Sequence, residues 1–87
     1  MDLSQAIITR LLQLQNSQKI TTNKLATLAG LAQPTVRDIT YGVSKYPKIN
    51  TILHICEGLN ISLRDFFNDP IFDNVVEEEN SSEDKMA

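Results

Sequence analysis

A single glycine between two short helical patterns constrains the fold of this chain more than any other sequence feature. On either side of Gly30, apolar residues or alanines occupy positions 25, 26, 29, 31, 36 and 39, at the spacing of buried helix faces. Glycine turns the backbone there without a Cβ clash, and small residues let two helices cross closely. The pattern therefore predicts a helix-turn-helix whose second helix stands out from the body.

Recurring apolar positions along the rest of the chain predict further helices. Residues 3–20, 21–30, 33–41 and 49–59 each have an apolar face at three- and four-residue spacing, and a fifth helix ends near Phe67. No segment shows sustained alternation of apolar and polar residues, as a half-buried strand would. We therefore expect an all-α fold, a compact five-helix bundle that contains the helix-turn-helix.

Capping residues predict where these helices begin and end. Gly30 and Gly42 stop the second and third helices, and Asn60 adopts the left-handed conformation almost as readily as glycine. Ser62 and Asp65 have the spacing of a capping box at the start of the fifth helix.

The C-terminal residues differ in composition from the rest of the chain. A length of 87 residues permits one small domain, which we assign to residues 1–69. The Asp69–Pro70 pair is typical of a helix start, so we expect a short C-terminal helix over residues 70–79. Residues 80–87 are polar, charged and poor in core residues, which predicts a disordered acidic tail.

Few residues in this chain are suited to catalysis or metal binding. Cys56 and His54 are the only residues of their types, so no intrachain disulfide, cysteine-rich zinc site or histidine-pair site can form. There is no glycine-rich phosphate loop, and no apolar run is long enough to cross a membrane. We expect a cytoplasmic protein that is not an enzyme, with no cofactor, no metal and no membrane partner. No small-molecule effector is evident from the sequence.

Charge is distributed unevenly along the chain. The total is −3, but residues 73–87 contain six acidic residues and one lysine, a charge of −5. Residues 19–48 contain five basic residues and Asp38, a charge of +4. This asymmetry favours a body that binds a polyanion and carries an acidic appendage. Chance scatter of charge over a solvated surface is the alternative.

The predicted third helix has a polar arc opposite Val36 and Ile39. At about 100° per residue, positions 33, 34, 37, 38 and 41 fall on this outward arc. Glutamine pairs with adenine, arginine with guanine, and a carboxylate accepts from the cytosine amine, all in the major groove. An ordinary solvated helix is the alternative. The residues expected to read bases are Gln33, Pro34, Thr35, Arg37 and Asp38.

Residues around this helix are suited to holding the DNA backbone. The second helix begins with polar residues whose N–H groups favour an anion. Lys24 opposes the dipole of its own helix, and a bound phosphate would favour it there. For the lysines after the third helix, loop solubility is the alternative. The expected backbone contacts are Thr22, Asn23, Lys24, Tyr41, Ser44, Lys45, Tyr46 and Lys48.

Taken together, these motifs resemble the phage-repressor-like helix-turn-helix family of the Cro/XRE type, over roughly residues 5–68. The resemblance rests on residues 22–26, 29–31 and 33–36, the stop at Gly42, Pro47, and the apolar pattern that ends at Phe66–Phe67. It implies a lambda-repressor-like five-helix domain whose third helix reads DNA, commonly as a dimer on inverted repeats. By position, it implies DNA contacts from Thr22, Gln33, Pro34, Asp38 and Tyr41.

The chain departs from the family pattern at four places. Ala32 replaces the usual Ser or Thr cap of the third helix, Asp38 is acidic where neutral polar residues are common, and Asn60 replaces a glycine. The acidic tail is additional. The first two departures bear on affinity and site preference and leave the fold unchanged.

These features predict a sequence-specific regulator of transcription, most simply a repressor, that binds double-stranded DNA. The alternative is a protein-interaction module, such as an antitoxin-like or regulatory subunit whose acidic tail binds a partner. In either case, the tail could also screen the basic region from DNA within the same molecule.

We also expect a homodimer, because one reading helix contacts few base pairs. The apolar residues at the C-terminal end are the expected dimer contacts, although they could equally fold back onto the first helix. These residues are Phe66, Phe67, Ile71, Phe72, Val75 and Val76.

Overall fold

The computed structural model describes residues 1–77 and confirms the all-α five-helix architecture. The helices are α1 (Leu3–Gln18), α2 (Thr22–Ala29), α3 (Gln33–Thr40), α4 (Ile49–Leu59) and α5 (Leu63–Phe67). Within these residues the only β-type pairing is an isolated bridge between Asp2 and Val76. Most of the acidic tail, including residues 80–87, lies outside the described part of the chain.

Capping residues satisfy free backbone groups at several helix ends, whereas α3 and α4 begin after Ala32 and Lys48 without a side-chain cap. The hydroxyl of Thr21 accepts from the N–H of Lys24 at 3.1 Å, and Ser62 and Asp65 form the predicted capping box. Asn60 ends α4 with φ of 60°, as predicted. Lys19 is also left-handed, with φ of 55°, so α1 ends slightly earlier than the predicted residue 20.

All five helices contribute to one apolar core. Leu11, Leu25, Val36, Ile55 and Phe66 come from α1 to α5 in turn, and each is fully or almost fully buried. Within this core α3 packs mainly against α2 and α1, so these two helices set its position. No helix within residues 1–77 is both long and apolar enough to cross a membrane.

The chain after α5 forms less helix than the sequence predicts. In place of a helix over residues 70–79 there is one 3-10 turn, Pro70–Phe72, and residues 78–79 lie outside the described part. Beyond the turn, the carbonyl of Val76 accepts from the N–H of Leu3 at 2.9 Å. The N–H of Leu3 lies in the first turn of α1 and has no partner within its own helix. Pairing with it holds Val76 in an extended conformation, which a helix over residues 70–79 would not allow.

Arg10 of α1 fixes the C-terminal segment to the body. Its Nε donates to the carbonyl of Phe66 and its Nη2 to that of Asp65, both at 2.7 Å. Its Nη1 lies 3.4 Å from Oδ2 of Asp69. One guanidinium thus satisfies carbonyls of the short α5 and pairs with the residue that precedes the 3-10 turn.

The phenylalanines of the C-terminal segment face inward. Phe66 is fully buried, so its side chain has no surface for a dimer partner and the expectation that it contacts one is wrong. Phe67 and Phe72 are partly buried against the core, with their ring centroids 5.1 Å apart. The segment therefore folds back onto the domain, which is the second of the two arrangements that the sequence left open.

Candidate nucleic-acid interface

The turn between α2 and α3 has the geometry that the glycine pattern predicts. Gly30 adopts φ of 70°, in the left-handed region. Its N–H and that of Leu31 donate to the carbonyls of Thr27 and Ala26, so the last turn of α2 is satisfied. Leu31 then packs against the core, and α3 begins two residues later. The turn is therefore rigid and fixes the direction of the third helix.

One side of α3 is buried and the other faces solvent. Val36 is 0% exposed and Ile39 is 1% exposed, so these two side chains hold the helix to the core. The residues expected to read bases lie mainly on the opposite side. Gln33, Pro34, Thr35 and Arg37 are exposed, and Asp38 is half-buried at the edge of this face.

Asp38 anchors the chain that follows α3. Its carbonyl accepts from the N–H groups of Val43 at 2.9 Å and Ser44 at 3.0 Å, which folds the loop back against the helix. Gly42 makes the reversal with φ of 79°. The position of Asp38 therefore affects the backbone-contact loop as well as the reading face.

The N-terminus of α2 is held by a residue that sequence reasoning missed. Gln15 of α1 is buried, and its Nε2 donates to the hydroxyl of Thr22 at 3.2 Å. It also lies 3.4 Å from the carbonyl of Ile20. Gln15 follows Leu11 by four residues on the inner face of α1, and a polar residue at such a position is the signal that could have found it. The expected phosphate contacts at α2 are thus positioned from α1.

The other residues expected to contact the DNA backbone lie in the first turn of α2, at the end of α3 and in the loop after α3. Asn23 and Lys24 are exposed in the first turn of α2, which contains no acidic residue that would neutralise its dipole. Tyr41 is exposed at the C-terminal end of α3. In the loop before α4, Lys45, Tyr46 and Lys48 are exposed and Ser44 is half-buried.

Four of the seven basic residues within residues 1–77 lie in α2, α3 and the loop that follows α3. Lys24, Arg37, Lys45 and Lys48 belong to α2, α3 and the loop, where Asp38 is the only acidic residue. The other described acids lie at Asp2 and from Glu57 onward. An exposed helix flanked by basic residues attracts a polyanion and has the shape to enter a groove about 12 Å wide.

The single cysteine and the single histidine of the chain both lie on α4, outside the helix-turn-helix unit. Burial raises the pKa of the Cys56 thiol, and the charges of Asp65 and Glu57 raise it further. His54 is exposed on α4, with Nδ1 3.4 Å from a carboxylate oxygen of Glu57. Within residues 1–77, no three His, Cys, Asp or Glu side chains are grouped as metal ligands would be.

The fold and the exposed third helix define a helix-turn-helix domain of the DNA-binding class. The family model of the Cro/C1-type HTH DNA-binding domain matches residues 10–70. The chain therefore belongs to that family, whose members bind DNA, regulate transcription and are typically not enzymes. No curated protein matches the chain.

A solved structure is similar over most of the chain. The crystal structure of the prophage Lp1 protein 11 is 41% identical in sequence, with a TM-score of 0.73. The match covers 86% of this chain and 100% of that one.

Proposed function

We propose that the protein is a transcriptional repressor that reads a specific double-stranded DNA sequence with α3 in the major groove. The observation that carries the proposal is the outward face of α3, where Gln33, Thr35 and Arg37 are exposed while Val36 and Ile39 fix the helix to the core. Amide and guanidinium groups on one rigid face provide the bidentate donors and acceptors that distinguish base pairs.

Backbone contacts on both sides of α3 would set its depth and register in the groove. The N-terminus of α2 offers free N–H groups, the Thr22 hydroxyl and Lys24 to one phosphate segment. Ser44, Lys45, Tyr46 and Lys48 offer donors and positive charge to another. These contacts would supply most of the salt-dependent affinity and little of the specificity.

Selection of binding sites from random duplexes with the purified full chain tests the proposal directly. We expect one enriched motif, because a rigid α3 presents a fixed pattern of hydrogen-bonding groups. Gln33→Ala and Arg37→Ala should each weaken binding to that motif by about 1–3 kcal/mol and relax preference at one position. Recovery of no motif, or loss of binding without any change in preference, would contradict base reading by α3.

Repression is tested separately from binding. A reporter promoter that overlaps the selected motif should lose expression when the protein is present, and a promoter with a scrambled motif should not. Increased expression from the first promoter would show activation instead.

A further inference from the structure

A buried amide of α1 lies beside the first residue of α2. Gln15 is 7% exposed. Its Nε2 donates to the hydroxyl oxygen of Thr22 at 3.2 Å and lies 3.4 Å from the carbonyl oxygen of Ile20. Its Oε1 is buried and has no hydrogen-bond partner within residues 1–77. An unpaired buried oxygen costs free energy, so the arrangement calls for a physical explanation.

The carbonyl of Ile20 determines which end of the amide faces the start of α2. A carbonyl oxygen only accepts hydrogen bonds, so it favours the NH₂ group of Gln15 and repels Oε1. Rotation of the amide by 180° would place the two oxygens against each other. The backbone therefore holds Nε2 toward Ile20 and Thr22, and the unpaired Oε1 is the consequence of this orientation.

The orientation of the amide determines in turn what the hydroxyl of Thr22 can do. A hydroxyl has one proton and two lone pairs. Because Gln15 donates to this oxygen, one lone pair is occupied and the proton points elsewhere. The hydroxyls of Thr27 and Thr40, by comparison, donate to carbonyls of their own helices at 3.2 and 2.8 Å. Among residues 1–77 no acceptor takes the proton of Thr22, so it is free for an external acceptor.

We propose that Gln15 is a positioning residue for DNA binding, which makes the Thr22 hydroxyl a donor to a backbone phosphate. The proposal rests on the proposed function, because it takes DNA as the ligand at the N-terminus of α2. The N–H groups of Thr22 and Asn23 are the first two of this helix and have no acceptor within it. A phosphate at this place accepts from these groups and from the hydroxyl, and Lys24 adds its charge from the same turn.

The contribution of Gln15 to affinity is one of preorganisation. With the Gln15 donor in place, the Thr22 hydroxyl is already directed outward before DNA arrives. Without it, the hydroxyl rotates freely, and binding must first fix its direction. The loss of Gln15 should therefore weaken DNA binding only while the Thr22 hydroxyl is present.

DNA affinity of four full-length chains tests this dependence: the wild type, Gln15→Met, Thr22→Val and the double variant. Thr22→Val keeps the shape of the side chain and should weaken binding about tenfold, since a hydrogen bond to a charged group is lost. Gln15→Met keeps the length, removes the donor and should weaken binding by at least about threefold. In the Thr22→Val background, Gln15→Met should have no further effect. Equal losses in the two backgrounds would overturn the proposal.

Salt dependence separates the positioning of one hydroxyl from displacement of the helix. The Thr22 hydroxyl is uncharged, so Gln15→Met should leave the slope of affinity against salt unchanged. If the loss of Gln15 shifted the whole N-terminus of α2, the contact of Lys24 would also be lost and the slope would fall by about one unit. That result would show a purely structural role and refute positioning of the hydroxyl.

Control variants account for folding and for substitution in general. Gln13→Met replaces an exposed glutamine of the same helix and should leave affinity unchanged in both backgrounds. Thr22→Ser retains the hydroxyl, so Gln15→Met should again weaken binding in that background. Gln15→Met should stay folded, because it removes the unpaired oxygen together with the donor. Thermal unfolding checks this, and Gln15→Leu takes its place if the methionine variant is unfolded.

The role of Gln15 and the proposed function can fail separately. Phosphate contacts carry no sequence information, so the coupling between Gln15 and Thr22 should be equal on the selected motif and on a scrambled duplex. A selected motif with additive losses would refute the role of Gln15 and retain the function. Coupling on every duplex, with no motif selected, would retain that role and refute sequence-specific reading by α3.

Discussion

At the scale of single residues, Arg10 makes the side-chain contacts that join α1 to the segment around α5. Its guanidinium donates to the carbonyls of Phe66 and Asp65 and pairs with Asp69. Arg10→Ala leaves two carbonyls of the α5 segment without their donor, and we expect a loss of about 2–3 kcal/mol in the free energy of unfolding. Urea unfolding measures this loss.

Arg64→Ala is the matched control for that change. Arg64 is exposed on α5, so its replacement should alter stability by less than about 0.5 kcal/mol. Equal effects of the two substitutions would show that Arg10 contributes only charge.

Replacement of Lys24 by alanine should raise the stability of the fold and lower its affinity for DNA. Lys24 lies in the first turn of α2, where a positive charge opposes the helix dipole. Lys24→Ala should therefore stabilise the fold by a few tenths of a kcal/mol. The same change should weaken binding to all DNA sequences and reduce the slope of affinity against salt by about one unit.

Thermal unfolding and a salt titration of DNA affinity measure these two effects of Lys24→Ala. Arg64→Ala, which removes the same charge at a distant site, should leave the salt slope nearly unchanged. Altered sequence preference with an unchanged slope of affinity against salt would show that Lys24 contacts bases and not the DNA backbone.

At the scale of helices, the crossing of α2 and α4 depends on Gly58. A Cβ at this position would lie 2.9 Å from the nitrogen and 3.1 Å from Cα of Ala29, and backbone atoms cannot move aside cheaply. Gly58→Ala should gain up to about 1 kcal/mol in helix propensity but lose about 1–3 kcal/mol to overpacking, so we expect net destabilisation.

Gly30→Ala is the comparison for Gly58→Ala, because it meets a different constraint. A Cβ at Gly30 would have no atom within 4 Å, but φ is 70°, so the cost is that of the left-handed backbone, about 1–2 kcal/mol. Urea unfolding of both variants measures the two costs. A Gly58→Ala protein as stable as the wild type would show that the two helices can separate without penalty.

The helices were predictable where local signals decide them. Apolar spacing and caps such as Gly30 and the Ser62–Asp65 box depend only on residues near in sequence, and the structure has α2 to α5 at or within about one residue of their predicted bounds. The segment over 70–79 was not predictable in this way. Its conformation depends on pairing between Val76 and Leu3, which are distant in sequence.

The candidate site, like the helices, was predictable from the sequence only where local patterns determine it. The outward arc of α3 follows from helix periodicity, so the exposure of Gln33 and Arg37 could be foreseen. The roles of Gln15 and Asp38 could not, because each depends on where another segment of the chain packs. Whether the exposed residues contact DNA stays a prediction until binding is measured.

At the scale of the whole molecule, positive charge is concentrated on the helix-turn-helix and negative charge toward the C-terminus. Residues 78–87 contain four acidic residues and one lysine, so their removal changes the net charge from −3 to 0. We expect truncation after Glu77 to tighten DNA binding at low salt, where charge acts over a longer range, and to have little effect at high salt.

DNA affinity of the truncated and full-length chains, measured at two salt concentrations, tests this prediction. Equal affinities at low salt would exclude screening of DNA by the tail. Loss of a protein partner, with DNA binding unchanged, would favour the interaction module instead.

The pairing of Leu3 with Val76 also determines how the domain can be extended. It brings both ends of the described chain to the start of α1, whose 16 residues span about 24 Å before the junction with α2. A fluorescent protein fused before Met1, or directly after Glu77 in a chain shortened to residues 1–77, would thus project from one common point, separated from the N-terminus of α2 by the length of that helix. For the same reason, a short linker between the two ends should permit a circularly permuted domain that opens elsewhere.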